Sequence, residues 1–225
     1  MSAFIEVKNL TKVFNGSEKR FTALNGVSFS VGKGELVIIS GKSGSGKSTL
    51  LNMLSGIDYP TEGEVFIEQV PIHKFKGNQL AAWRGRNLGI VFQFFQLMPT
   101  LTVLENIMLP MEFAGLIARG HQKQRAMELL DRVGISSLAN KFPASISGGE
   151  KQRVAIVRAL ANNPGFIVAD EPTGNLDSMN TRSIHGLFNS LIDEGKTVVY
   201  VTHEKETSLN YTRKIEMVDG KILNN

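Results

Sequence analysis

The sequence predicts an α/β protein, and three observations carry the prediction. ELVIIS (35–40), FIVAD (166–170) and TVVYVT (197–202) are short, continuous, β-branched runs, each leading into a polar or glycine-rich loop; parallel strands buried on both faces read this way. FIEVKNLTKVF (4–14) and ALNGVSFSV (23–31), with the turn-rich NGSEKR between them, alternate apolar and polar residues instead, and EVFIE (64–68) follows a PTEG turn. Alternation with a period of two marks strands with one solvated face. Between Gln93 and Pro164 the strand signal gives way to helical spacing, clearest in LTVLENIMLPMEFAGLI, QKQRAMELLDRVG and EKQRVAIVRALAN. A core built on buried strands is therefore expected to carry a mostly helical insert of roughly 70 residues, close to the smallest size of a compact lobe.

Composition narrows the classes. The chain has 225 residues, 42% hydrophobic and 20% charged, enough for one large domain or a core plus subdomain without covalent staples. With no cysteine, disulfides, cysteine–zinc sites and thiol chemistry are excluded. The start, MSAFIEVKNLTK, has no charged segment followed by an apolar stretch and cleavage site, so no secretory signal is expected. No apolar run approaches the ~20 residues that cross a bilayer. The expectation is a soluble, cytoplasmic chain that reaches a membrane only through a partner. The net charge of +4, from 25 Lys+Arg against 21 Asp+Glu, is scattered along the chain, without the basic stripe that nucleic acid demands. No nucleic-acid partner is expected. His73, His121, His185 and His203 lack metal-ligand spacing.

The first buried strand runs into GKSGSGKST (41–49), followed by LLNMLSG, an apolar helix closed by Gly56. This is G-x-x-x-x-G-K-[ST] in the context it requires: strand, glycine loop, helix. Gly41, Gly44 and Gly46 let the loop, with Lys42, Ser43 and Ser45 between them, wrap with its N–H groups toward phosphate oxygens. The helix N-terminus adds roughly half a positive charge. Lys47 would reach the β- and γ-phosphates and Ser48 would offer its hydroxyl to Mg²⁺, with Thr49 completing the motif. FIVADEP places Asp170 and Glu171 at the carboxyl end of the second buried strand, where ligands of open parallel sheets collect. Asp170 is expected to hold Mg²⁺ through water, and Glu171 to polarise the attacking water as general base. The third strand ends in VTHE, which puts His203 at the same edge, within reach of a γ-phosphate or of Glu171.

SISGGEKQR (145–153) poses a different question. Ser147 and Glu150 match the S-x-x-E capping box, in which each side chain satisfies an orphan N–H at a helix start. That does not explain Gly148 and Gly149, each about 1 kcal/mol poorer than alanine inside a helix. A second reading is that they let something approach the backbone closely.

With these motifs in this order, the chain resembles the ATP-binding subunits of ABC transporters over nearly its whole length. The matching residues are GKSGSGKST, Gln93 in IVFQ (the Q-loop), SGGEKQR (the signature), IVADEP (the Walker B strand), Asn175-Leu176-Asp177 (the D-loop) and His203 (the switch histidine). The resemblance implies a RecA-like P-loop NTPase core with an antiparallel β-subdomain, over 1–93 and 165–225, and a helical subdomain over 94–164. It further implies ATP and Mg²⁺ as cofactors, with Ser48, Gln93 and Asp170 around the metal, and catalysis by Glu171, His203 and Lys47. Two chains would pair head to tail, so that Ser147, Gly148, Gly149, Glu150 and Asp177 face the nucleotide held by the other subunit. Two departures stand out: the signature begins with Ile146 rather than leucine, and Glu150 occupies a position often held by glutamine. Phe14 falls where an aromatic stacks on adenine, with Phe21 as a rival; such stacking is worth roughly 1–3 kcal/mol per base in nucleic-acid binders.

Gln93 is followed by the apolar stretch FFQLMPTLTVLENIMLP. Leu101 and Leu104 read as core. Phe94, Phe95, Leu97 and Met98 resemble the groove in which the family receives a short helix of its transmembrane permease. QFFQLMPTLTVLENI with DEPTGNLDS is similar to the subgroup serving lipoprotein release, macrolide or peptide export, antimicrobial-peptide resistance, haem efflux and the cell-division ABC complex. In that last member the ATPase acts as a regulatory mechanotransducer, which is the alternative reading. Relatives in DNA repair and translation carry coiled-coil interruptions, zinc modules or paired ATPase units, none of which this sequence shows.

Overall fold

The structure, a computed structural model, describes residues 3–16, 20–203 and 207–224. In chain order the main elements are β1 (Ile5–Asn15), β2 (Arg20–Val31), β3 (Leu36–Ser40), α1 (Lys47–Ser55), β4 (Glu62–Ile67) and β5 (Val70–Pro71). Then come α2 (Gly77–Asn87), β6 (Leu88–Val91), α3 (Val103–Ala114), α4 (Arg119–Arg132), α5 (Gly148–Ala159) and β7 (Phe166–Asp170). The chain closes with α6 (Ser178–Asp193), β8 (Thr197–Thr202), β9 (Arg213–Val218) and β10 (Lys221–Asn224).

The two strand patterns sort into two sheets. The alternating strands form an antiparallel sheet in the order β2-β1-β4-β5. The continuous runs form the centre of a six-stranded sheet, β10-β9-β3-β8-β7-β6, parallel except for the β10 edge. Every residue of β3 and β8 is buried, because successive side chains enter different layers. Leu36, Ile38, Val198 and Tyr200 join a cluster with α3, α4, α5 and α6, whereas Val37, Ile39, Val199 and Val201 pack against β1, β2 and α1. Each aliphatic among them contributes about 1.5–3 kcal/mol on full burial, and apart from the Tyr200 hydroxyl no polar side-chain group interrupts these runs until the strand ends.

The expected helices form at α3, α4 and α5. α3 starts from a capping box of Thr102 and Glu105. The fully buried Asn106 fastens the turn before it, accepting from Met98 N at 2.8 Å and donating to the carbonyls of Met98, Leu101 and Thr102. The segment downstream of Gln93 is thus pinned to a helix start. The sequence reading leaves α2, β6, α6 and the β9–β10 hairpin unassigned. α2 buries only Leu80, and β6 is four residues long and broken by Gly89, whose added Cβ would stand 2.6 Å from Ala159 O. The NGSEKR turn falls in part on residues 17–19 and the last residue of VTHE is 204, outside the described residues.

Candidate functional site

The phosphate loop joins β3 to α1, and backbone from two other strands holds it in place. A Cβ on Gly46 (φ 99°) would stand 2.5 Å from Ala23 O of β2, and one on Gly41 would collide with Met217 O of β9. Gly220 N donates to Ser45 O at 3.1 Å. These glycines therefore permit close packing of the loop against β2 and the β9–β10 hairpin, as well as its curvature. Lys47, 6% exposed, donates from Nζ to the carbonyls of Gly41 and Lys42, both at 2.9 Å. Its charge lies across the loop.

A cleft of about 560 Å³ opens above this loop. Ser43, Gly44, Gly46, Lys47, Ser48 and Thr49 line it from the loop, and Gln93, Glu171 and His203 line it from the ends of β6, β7 and β8. The parallel sheet brings these residues together from positions far apart in the chain, because all its central strands end on one edge. Glu171 sits in the left-handed region (φ 44°), with its N–H donating to Val201 O at 3.0 Å. Its Oε2 lies 3.0 Å from His203 Nδ1 and 3.3 Å from Gln93 Nε2. Behind it, burial pushes the Asp170 carboxyl above its ordinary range, with the nearby Ser48 hydroxyl and Lys47 ammonium acting against the shift. Phe21, not Phe14, lines the cleft. Phe14 pairs with Phe21 across β1 and β2, and Lys12 Nζ lies 5.0 Å from its ring centroid.

Ser147, Gly148, Gly149, Glu150 and Asp177 lie outside this cleft lining. The capping box forms: Glu150 N donates to Ser147 Oγ at 3.4 Å, while Ser147 N and Oγ donate to Glu150 Oε2 at 2.7 and 2.8 Å, which holds the Glu150 carboxyl below its ordinary range. Asp177 caps α6 in the same manner, accepting from Asn180 N and Nδ2, both at 2.8 Å. Asn180 also explains one glycine, since its Oδ1 would lie 2.6 Å from a Cβ on Gly149, whereas nothing lies within 4 Å of one on Gly148. The close approach at Gly149 includes a neighbour in the same chain, which one stretch of sequence does not reveal.

The stretch after Gln93 has no helix or strand until α3. Phe94 and Met98 are exposed, but Leu97 packs against the core. The apolar cavity nearby, about 280 Å³, is lined by Phe92, Gln96, Leu109, Pro110, Phe113 and Arg158 among others, and by none of Phe94, Phe95, Leu97 and Met98. The segment itself is irregular. Two of its residues, Phe95 and Gln96, have positive φ and give their carbonyls to Arg158. Phe113, 82% exposed on α3, is a large apolar side chain of this cavity that the sequence reading did not single out.

A glycine loop at the head of a buried parallel strand, faced by a carboxylate, a glutamine and a histidine from three further strand ends, defines a P-loop nucleotide hydrolase of α/β fold. Residues 24–174 match the family described as ABC transporter, and the chain belongs to that family as an ATP-binding and ATP-hydrolysing subunit. Within it the chain falls in the subgroup of lipoprotein-release and macrolide-export ATP-binding subunits. It is 47% identical over 222 residues to an uncharacterized ABC transporter ATP-binding protein of Thermotoga maritima, covering 99% of this chain and 94% of that one. It is 45% identical to the lipoprotein-releasing system ATP-binding protein LolD of Aquifex aeolicus, covering 99% and 97%. The ATP-binding cassette MJ0796, solved as a dimer in a post-hydrolysis state bound to ADP and Pi, superposes with a TM-score of 0.91 at 42% identity, covering 98% of this chain and 97% of that one. Among the described residues no helix is long and apolar enough to cross a membrane.

Proposed function

We propose that two copies of this chain close head to tail around two ATP molecules, and that closure moves a transmembrane partner of the export or lipoprotein-release type from the cytoplasmic face of the membrane. The observation that carries the chemistry is the placement of Glu171, whose carboxylate is met by His203 and Gln93 on the wall of a cleft floored by the phosphate loop. In this reading the loop N–H groups and Lys47 hold the phosphates. Glu171 takes a proton from water as the water attacks the γ-phosphorus, and ADP leaves. His203 keeps Glu171 aimed and donates to the γ-phosphate. The donor set fits Mg²⁺, a hard cation that prefers oxygen: the Ser48 hydroxyl lies near the Asp170 carboxyl, and Gln93 turns its amide nitrogen to Glu171 and leaves its oxygen free to face the cation. When bound, the metal would offset phosphate charge. Phe21, with Phe14 opposite, would stack on the adenine.

The second half of each site comes from the neighbouring copy. Ser147 to Glu150 and Asp177 belong to the surface presented to it, and 94–164 is the lobe that carries the signature. The dimeric state of MJ0796 supports this arrangement, as does the separation of the signature from this chain's own cleft. The groove at Phe113 and Arg158, with Phe94 and Met98 beside it, is where the permease would dock. Glu171→Gln keeps the shape of the side chain and removes the base. Its expected result is a loss of steady-state ATP turnover of about a hundredfold or more, with accumulation of an ATP-bound dimer on size exclusion. Intact turnover would show that another group is the base.

A further inference from the structure

Behind Glu171, on the side away from the cleft, lies a buried polar chain that the hydrolytic reading does not use. Tyr200 of β8 is 1% exposed and is the largest fully buried side chain among the described residues. Its ring packs edge-on against Phe188 (centroids 5.1 Å apart) and His185 (6.0 Å). A phenol hydroxyl in an apolar layer needs a partner, and this one has at least two. It lies 3.1 Å from Thr173 Oγ1 and 3.3 Å from His185 Nε2. His185, 2% exposed on α6, meets Ser208 Oγ with Nδ1 at 2.8 Å.

One end of this chain lies two residues beyond Glu171, and Tyr200 itself lies three residues before His203. Thr173, 3% exposed, belongs to the turn that starts at Glu171, where Gly174 N donates to Glu171 O at 3.1 Å and Leu176 N to Thr173 O at 3.0 Å. Ser208 lies downstream of His203 on the segment that α6 also grips through Asn189, which accepts from Asn210 N at 2.9 Å and donates to Ser208 O at 3.2 Å. Tyr200 itself pairs with Ala169 of β7, next to Asp170, and neighbours Val201, the acceptor for Glu171 N. Glu171 and His203 therefore meet directly in front, and behind them the turn after Glu171 is tied through Thr173 to Tyr200, on β8 three residues before His203, which His185 holds in turn.

We propose that Tyr200 and His185 are positioning residues for hydrolysis: they lock the turn bearing Glu171 to the strand that leads into His203 and so fix the geometry of the Glu171–His203 pair. Glu171 at φ 44° occupies a backbone region that non-glycine residues adopt only when their surroundings hold them there. The lock supplies part of that hold. A displacement of this pair acts on the chemical step and leaves the phosphate loop, on β3 and α1, as it is.

The inference rests on the reading of Glu171 as the base, and the experiment separates the two. In the full chain, Tyr200→Phe keeps the ring and removes the hydroxyl, Thr173→Val removes its partner, and Thr173→Ser restores a hydroxyl. The expected result is a fall in kcat of about tenfold for Tyr200→Phe and Thr173→Val, since small misplacements of reacting groups cost large factors. KM for ATP should stay within about twofold, the mark of an effect confined to the chemical step. Thr173→Ser should turn over at close to the parent rate, and the Tyr200→Phe/Thr173→Val double variant should be no slower than either single one, as expected for one shared interaction. Unchanged kcat in Tyr200→Phe, or equal impairment by Thr173→Val and Thr173→Ser, overturns the proposal while Glu171→Gln remains inactive. If Tyr200→Phe does not fold, the two Thr173 variants decide. Should Glu171→Gln turn over normally, the base is wrongly assigned and the lock falls with it.

Discussion

Lys47 shows how a single residue serves two states. Its ammonium is nearly buried, yet it donates only to loop carbonyls and has no carboxylate within ion-pair distance among the described residues. A buried cation without an anion is costly, and a phosphate would supply the missing partner. Lys47→Ala should weaken ATP binding by about ten- to hundredfold, the worth of a hydrogen bond to a charged group, while thermal unfolding still shows one folded chain. Nucleotide titration by fluorescence checks this, and undiminished affinity would mean that the loop N–H groups suffice. The motif made Lys47 legible because its role depends on a spacing of a few residues. Phe14 and Phe21 were not separable in the same way, because only the β1–β2 register and the position of Lys12 place one of them on the cleft.

At the scale of elements, α5 answers the question raised by SGGE. Its capping box is real, and Ser147→Ala should lower the melting temperature by about 2–4 °C, as loss of an N-cap of about 1 kcal/mol does in a chain of this size. The Glu150 carboxyl is held below its ordinary range by the Ser147 N–H and hydroxyl. A depressed folded pKa means that the stabilisation is complete above the unfolded value, about 4.3, and disappears as the pH falls through the folded value. The gap in melting temperature between parent and Glu150→Ala should accordingly be constant at neutral pH and narrow below about pH 4. A gap independent of pH would assign the loss to helix propensity instead. Helices with strong spacing, such as α3 and α5, were legible, whereas α2 was not, since it buries one residue and carries little periodic signal.

For the whole molecule, what matters is which features fall on one surface. Gly148 has open space around it, unlike Gly149, which lies against Asn180. Gly148→Asp therefore tests the outward face without disturbing the chain that carries it. ATP binding to the monomer should change by less than about twofold, and hydrolysis should fall by about a hundredfold, the cost of losing donors to a developing charge. A parallel loss of binding would place the motif in its own chain's site. The tie between Thr173, Tyr200, His185 and Ser208 belongs to this scale as well: its members come from separate elements, and no window of sequence contains them.

By itself the sequence determined the α/β class, the strand–loop–helix of the phosphate site, and the carboxylate and histidine at strand ends. Each of these depends on residues that are neighbours in the chain, where hydrophobic period and glycine spacing act directly. Tertiary structure alone decided that Gln93 joins His203 on the same carboxylate oxygen of Glu171, that Gly41 and Gly46 are glycines also because β9 and β2 press on them, and that Tyr200 finds partners in His185 and Thr173. Those facts depend on which strands lie side by side and on where a buried polar group must find its hydrogen bond. Packing sets both, and the chain does not write them locally.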